Sequence, residues 1–271
     1  KILLMLALPN EVRNTGAHKG VFMARRMGLV AEANFEALAA NPYPGRGIVM
    51  GLGKTGANAL QVYWVMGRDD DSRNCLLTRR DAVVRTAAFD ESKVDPMQRN
   101  SPFYNAMDSF GNTHVVTSGE QTVAIMHGLR EKNRSFADTV VNYHPEEDKP
   151  HYTPRISGAL YIGSRLQFEY SIIKRGESDK QVERPFYTGD LSTYGEDGLG
   201  VCAHTYKGDG DPLPSFDQEP YLVPLGEDMQ DTARLFWDAL NPADRVGIAV
   251  KQFNLQSHEV DFHIINALEA A

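Results

Sequence analysis

The chain is constrained most by a recurring unit in which two short apolar runs of strand-forming residues are joined by a tight polar turn. Ile48-Val49-Met50 and Leu60-Gln61-Val62-Tyr63-Trp64-Val65 flank Gly53-Lys54-Thr55-Gly56-Ala57-Asn58, the signature of a β-hairpin. Cys75-Leu76-Leu77 and Val83-Val84-Arg85-Thr86 repeat the pattern around Arg79-Arg80-Asp81, and residues 155–162 with 167–172 repeat it again. Arg245 to Phe253 and His258 to Ile265 form a terminal hairpin. Helical periodicity appears in only a few places. Gly20 to Ala40 carries an apolar stripe through Phe22, Leu29, Ala33 and Leu38 and stops at Asn41-Pro42-Tyr43-Pro44-Gly45. His114-Val115-Val116-Thr117 runs through Ser118-Gly119-Glu120-Gln121 into an apolar helix reaching Leu129, and Gly226 to Leu240 reads as a further helix. Residues 176–217, rich in Gly, Asp, Tyr and Pro, read as long loops with short strands. Hairpins interspersed with a few helices predict an α+β chain of mostly antiparallel sheets, with residues 1–40 an N-terminal extension and 41–271 one domain.

Charge narrows the ligand. The net charge is −8, so the overall field repels nucleic acid, and any anionic ligand must be gripped by a local group of arginines. Cys75 and Cys202 match no C-x-x-C pattern, which argues against a disulfide framework or zinc site and fits a reducing cytoplasm. The apolar start, Lys1 to Leu8, ends at Pro9-Asn10 and is too short to span a bilayer; a buried strand or a cut terminus suits it better than a signal-peptide remnant. No metal is expected. His144, Glu146, Glu147, Asp148 and His151 match no standard ligand spacing, and Gly208-Asp209-Gly210-Asp211 reads as a turn rather than a calcium loop.

Three segments carry a family likeness. Pro44-Gly45-Arg46-Gly47 with its hairpin to Tyr63, then Ser72-Arg73-Asn74, is the first. Tyr104-Asn105-Ala106-Met107 followed by Val115 to Thr122 is the second, and Glu147 ahead of Thr153-Pro154-Arg155-Ile156-Ser157-Gly158 is the third. In order and spacing they resemble the archaeal-type IMP cyclohydrolases. Residues 1–40 precede the usual family start, the loop 187–217 is longer than the family pattern, and Ser118 stands where the family usually has Asn.

The resemblance implies a four-layer αββα sandwich like that of the N-terminal nucleophile hydrolases, without their nucleophile. It implies a homo-oligomer that needs no cofactor and converts a purine-precursor ribonucleotide monophosphate, 5-formamidoimidazole-4-carboxamide ribonucleotide, to inosine monophosphate. Under it, Glu147 manages the amide proton, and Tyr104 or Arg73 polarises the formyl oxygen. Arg46, Arg73 and Arg155 grip phosphate and base, since a planar guanidinium makes two parallel bonds to a phosphate. Asn74, Asn105, Ser118 and Gly119 add contacts to the substrate. His114 is expected to be structural. Two rival readings are an amide hydrolase of the N-terminal nucleophile type, which Lys1 does not supply with a Thr, Ser or Cys, and a non-catalytic purine-nucleotide-binding protein.

Overall fold

A computed structural model describes residues 16–94, 103–131, 134–176, 181–194 and 197–268. In chain order the elements begin with α1 (Gly16–Ala40), β1 (Gly47–Leu52), β2 (Asn58–Met66), α2 (Asp70–Arg73), β3 (Cys75–Arg80) and β4 (Val83–Ala88). Then come β5 (Asn105–Phe110), β6 (Thr113–Thr117), α3 (Gln121–Arg130), α4 (Phe136–Val140), β7 (Arg155–Ile162), β8 (Leu166–Arg175) and β9 (Val182–Glu183). The chain continues through β10 (Phe186–Asp190), β11 (Leu199–His204), β12 (Tyr221–Pro224), α5 (Met229–Ala239), β13 (Arg245–Asn254) and β14 (Val260–Asn266).

The strands form two large antiparallel sheets, so the chain is α+β. The first has the order β12-β11-β1-β2-β13-β14; the second runs β10-β8-β7-β6-β5-β4-β3, with β9 paired to β8. Register decides which side chains meet. Ile48 lies opposite Tyr63 and Val49 opposite Val62 on β1 and β2. Because strand side chains alternate, Ile48, Met50, Tyr63 and Val65 fall on one face and Val49, Leu60, Val62 and Trp64 on the other. The former pack against Leu77, Met107, Val116, Ile156 and Tyr170 of the second sheet, so the two sheets lie face to face. The latter pack against Leu38 of α1 and Ala233 and Phe236 of α5. On the far face of the second sheet, Val115, Ala159 and Ile173 meet Ile125 and Met126 of α3 and Phe136 and Val140 of α4. Burying each large aliphatic or aromatic side chain contributes roughly 1.5–3 kcal/mol, which is why a chain of this hydropathy stacks both faces of both sheets.

Polar ties join the sheets. The Tyr170 hydroxyl donates to Val201 O at 2.7 Å, and Gln61 Nε2 donates to His114 O at 3.1 Å. His114 is 2% exposed, at the centre of the molecule.

The short strands expected within residues 176–217 are present, and the expected helix stripe is corrected. Within residues 176–217 lies β11, buried along its whole length and hydrogen-bonded to β1, so this stretch supplies an interior strand of the first sheet. The stripe of α1 is rotated. Leu29 is 67% exposed and Ala33 is exposed, whereas Ala31 and Leu38 are buried and Phe35 meets Phe236 edge-to-face at 5.3 Å. Tertiary partners β12 and α5, which the helix's own periodicity cannot reveal, choose the face. Phe22 and residues 1–15 lie outside the described side chains. No helix among the described residues is long and apolar enough to cross a membrane.

Candidate functional site

Antiparallel pairing brings a set of strand ends together at one end of the two stacked sheets. The start of β1 meets the end of β11 and the latter part of β2 (Gly47 opposite His204 and Trp64), while the start of β7 meets the end of β6 (Ser157 opposite Thr117). Arg46 immediately precedes β1, Tyr104 immediately precedes β5, and Arg155 is the first residue of β7. Three residues far apart in sequence therefore arrive at one place.

Glu146, from the segment between α4 and β7, joins them. Its Oε1 accepts from Arg46 Nη1 at 2.9 Å and stands 4.0 Å from Arg155 Nη1. Its own backbone N–H donates to Thr153 O, which fixes the segment alongside the approach to β7. Burial works against the Arg46 charge, but Glu146 and the oxygens of Tyr104, Tyr63 and Tyr206 more than offset it and hold Arg46 firmly protonated. Arg155 is only 14% exposed and is gripped from several sides: Nε donates to His144 O at 2.9 Å, Nη1 to Gln121 Oε1 at 3.3 Å and Nη2 to Glu120 Oε1 at 3.3 Å. That fixes a guanidinium fork in one plane.

The hydroxyls of Tyr104 and Tyr63 form a short hydrogen bond across the gap between the sheets. Burial pushes the Tyr104 phenol up to about 12, against the opposing pull of Arg46 and of the bond to Tyr63. Tyr104 is therefore a neutral hydroxyl at physiological pH. Its backbone is locked by Thr86, whose Oγ1 accepts from Tyr104 N at 2.8 Å.

A cavity of about 180 Å³ opens beside Arg46, lined among others by Tyr43, Arg68, Ser72, Thr153 and Tyr206. Arg68 lies over the Tyr43 ring at 3.9 Å, Nη1 bonded to Asp209 at 2.5 Å and Nε 3.7 Å from Asp244. Tyr43 stacks on Tyr206, and the Tyr206 hydroxyl meets Thr153 Oγ1, which also bonds Asp148. Gly45 permits this wall. Its φ is +71°, and a Cβ there would overlap Thr205 Oγ1 and the Tyr206 ring.

The structure brings Arg46, Tyr104 and Arg155 together, with Gly119 against them: a Cβ on Gly119 would stand 2.6 Å from Arg155 Nη1 and from Gln121 Oε1. Asn105 begins β5 next to Tyr104 and is partly buried. Ser118 is fully buried, and its Oγ accepts from Ile156 N at 2.9 Å, so its oxygen stitches β6 to β7. Three expected residues stand apart. Glu147 is exposed, and no ion pair or side-chain hydrogen bond joins it to the cluster among the described residues. Arg73 is half exposed, bonded to Gly67 O, Ala243 O and Asp244 behind Arg68. Asn74 exchanges hydrogen bonds with the backbone of Asp90, donating to its O at 2.9 Å and accepting from its N at 2.8 Å.

Sequence reasoning assigned no role to Tyr63, Arg68, Gln121, Glu146 or Tyr206. Glu146 stands beside Glu147 in a charged run, and no local pattern tells which of the two turns inward. Arg68 and Tyr206 are set by loops whose placement no local pattern discloses. Asp148 and His151, from the same segment as Glu146, also line the cavity beside Arg46, Asp148 Oδ1 accepting from Thr153 N at 2.7 Å and His151 Nδ1 from the distant Leu213 N at 3.1 Å.

A comparison with curated proteins gives no match. The profile of the family described as IMP cyclohydrolase-like protein matches residues 43–257, which take in the whole cluster from Tyr43 through Arg46, Tyr104, Glu146 and Arg155 to Tyr206. The chain belongs to the IMP cyclohydrolase-like family.

Proposed function

We propose that this protein is an IMP cyclohydrolase, closing 5-formamidoimidazole-4-carboxamide ribonucleotide to inosine monophosphate. The observation that carries the proposal is the meeting of Arg46, Glu146 and Arg155 beside a buried pair of tyrosine hydroxyls, in a chain of this family. The helix layers on the outer faces of two stacked antiparallel sheets support reading the fold as the N-terminal-nucleophile-hydrolase-like αββα sandwich.

The chemistry asks for little more than such a cluster holds. The carboxamide nitrogen attacks the formyl carbon, and the formyl oxygen then leaves as water with one proton from the carboxamide nitrogen and one from the formamide nitrogen. No electrons are exchanged with a co-reactant, so no cofactor is required. Both reacting arms sit on one imidazole, and holding them aligned is worth up to about 7–11 kcal/mol of barrier. Glu146, held between two guanidiniums, receives the carboxamide proton. Tyr104, a neutral phenol, donates to the formyl oxygen as charge develops there.

Binding of an anion has a physical route. Arg155 and Arg68 are each held partly by an exposed carboxylate, Glu120 and Asp209, which are 59% and 57% exposed. Exposed pairs of this kind contribute about 0–1 kcal/mol, so the substrate phosphate displaces one at small cost. Asn105 and the Gly119 N–H supply contacts to the base and carboxamide.

Incubating the pure protein with the formylated ribonucleotide and following inosine monophosphate by ultraviolet absorbance tests the reading; no product under saturating substrate overturns it. The two internal thiols are not candidate nucleophiles. Burial pushes Cys75 up to about 11 and Cys202 up to about 12, so neither is a thiolate near neutrality.

A further inference from the structure

The Tyr63 and Tyr104 hydroxyls form one short hydrogen bond, and which of them donates decides what Tyr104 can do. Tyr63 belongs to β2 of the first sheet and is fully buried; Tyr104 precedes β5 of the second sheet and is 8% exposed. Among the described residues neither hydroxyl has a hydrogen-bond partner outside the pair, so one of the two protons is left over. Were Tyr104 the donor, the Tyr63 proton would be left buried and unpartnered, at about 1–3 kcal/mol. With Tyr63 as donor, the leftover proton is the one on Tyr104, which is 8% exposed rather than fully buried and is open to a partner outside the pair.

We propose that Tyr63 is a positioning residue: it donates its hydroxyl proton across the gap between the sheets to the Tyr104 oxygen, which turns Tyr104's own proton into the site and makes it the proton donor to the substrate. This rests on the ring-closure reading above. Tyr63 touches no substrate and acts only through Tyr104. It further makes proton donation depend on both sheets being stacked in register, because the two hydroxyls come from opposite layers.

Two measurements test it. In the first, a ring-fluorinated tyrosine, whose phenol ionises in an accessible pH range, is incorporated at position 104 in the otherwise native chain and in Tyr63→Phe, and the titration is followed spectroscopically. Loss of a hydrogen bond donated to the phenolate raises the midpoint by about one to two pH units. An unchanged or lowered midpoint overturns the coupling of the two hydroxyls on which the proposal stands, whether or not the protein turns over substrate. In the second, Tyr63→Phe lowers kcat roughly tenfold or more with KM little changed, and has no additional effect in a Tyr104→Phe background. A Tyr63→Phe loss of equal size in that background shows a structural role instead and overturns the proposal. Absence of turnover in the native protein refutes the cyclohydrolase reading alone, because the titration still reports on the pair.

Discussion

Arg155 illustrates what a single residue does here. Its guanidinium bridges a backbone carbonyl, an amide and two carboxylates, a planar arrangement that a lysine ammonium cannot reproduce. Arg155→Lys is expected to raise KM for the ribonucleotide by roughly 10-fold or more, about 1.4 kcal/mol, while the protein remains folded; steady-state kinetics with a thermal melt check both. Gly45→Ala combines a left-handed φ with a Cβ that has no room, and is expected to cost about 2 kcal/mol or more and to displace Arg46. A denaturant melt indistinguishable from the native protein contradicts that. Much of this was legible beforehand: Arg46, Tyr104 and Arg155 stand in motifs that the sequence displays in order. Glu146 and Glu147 are adjacent acids that the sequence does not distinguish, and the structure sets Glu146 against Arg46 while Glu147 is exposed. Arg68 lines the cavity whereas Arg73, at the end of α2, meets it only through the shared Asp244, a difference the sequence does not display.

At the level of elements, hairpins with tight turns could be read directly, since β1–β2, β3–β4, β7–β8 and β13–β14 are each closed by local turn chemistry. β11 could not. It is buried on both faces, Val201 and Ala203 toward the second sheet and Cys202 toward the helices, so the alternation that betrays a half-buried strand is missing, and its partners β1 and β12 are distant or short. The helix α1 is docked by specific contacts, Phe35 on Phe236 and Asn34 Nδ2 donating to Leu222 O at 2.8 Å. Phe35→Ala is expected to destabilise by roughly 2 kcal/mol, below the 3–5 kcal/mol of a fully buried phenylalanine because Phe35 is only partly buried. Thermal melting measures this, and a change under about 0.5 kcal/mol, the range of ordinary surface substitutions, contradicts the docking.

For the molecule as a whole, the gap between the sheets is where apolar burial and polar function compete. At the site end it holds Arg46, Glu146 and the tyrosine pair; deeper in, β13 places Lys251 opposite Gln61, 1% exposed, with Nζ making no hydrogen bond among the described residues. Burial lowers the Lys251 amine from 10.5 to about 7, with Asp108 pulling weakly the other way. As pH falls from about 10.5 to about 7, the unfolded chain takes up a proton that the folded chain refuses, so stability declines across that window and levels off below it. Lys251→Met, similar in length and apolar, is expected to stabilise at pH 7, by at most about 5 kcal/mol, and progressively less toward pH 10.5. Denaturant melts at pH 7 and pH 10 decide the matter, and an equal effect at both contradicts it.

The meeting of two arginines on one carboxylate beside Tyr104 is tested most directly by the rate of inosine monophosphate formation at saturating formylated ribonucleotide in Glu146→Gln and Glu147→Gln. Glu146→Gln is expected to lose roughly 10²–10⁴ in kcat, the range of a general base, and Glu147→Gln to match the native protein. Native turnover in Glu146→Gln, or an equal loss in both, would contradict the assignment of that junction as the place where the ring closes.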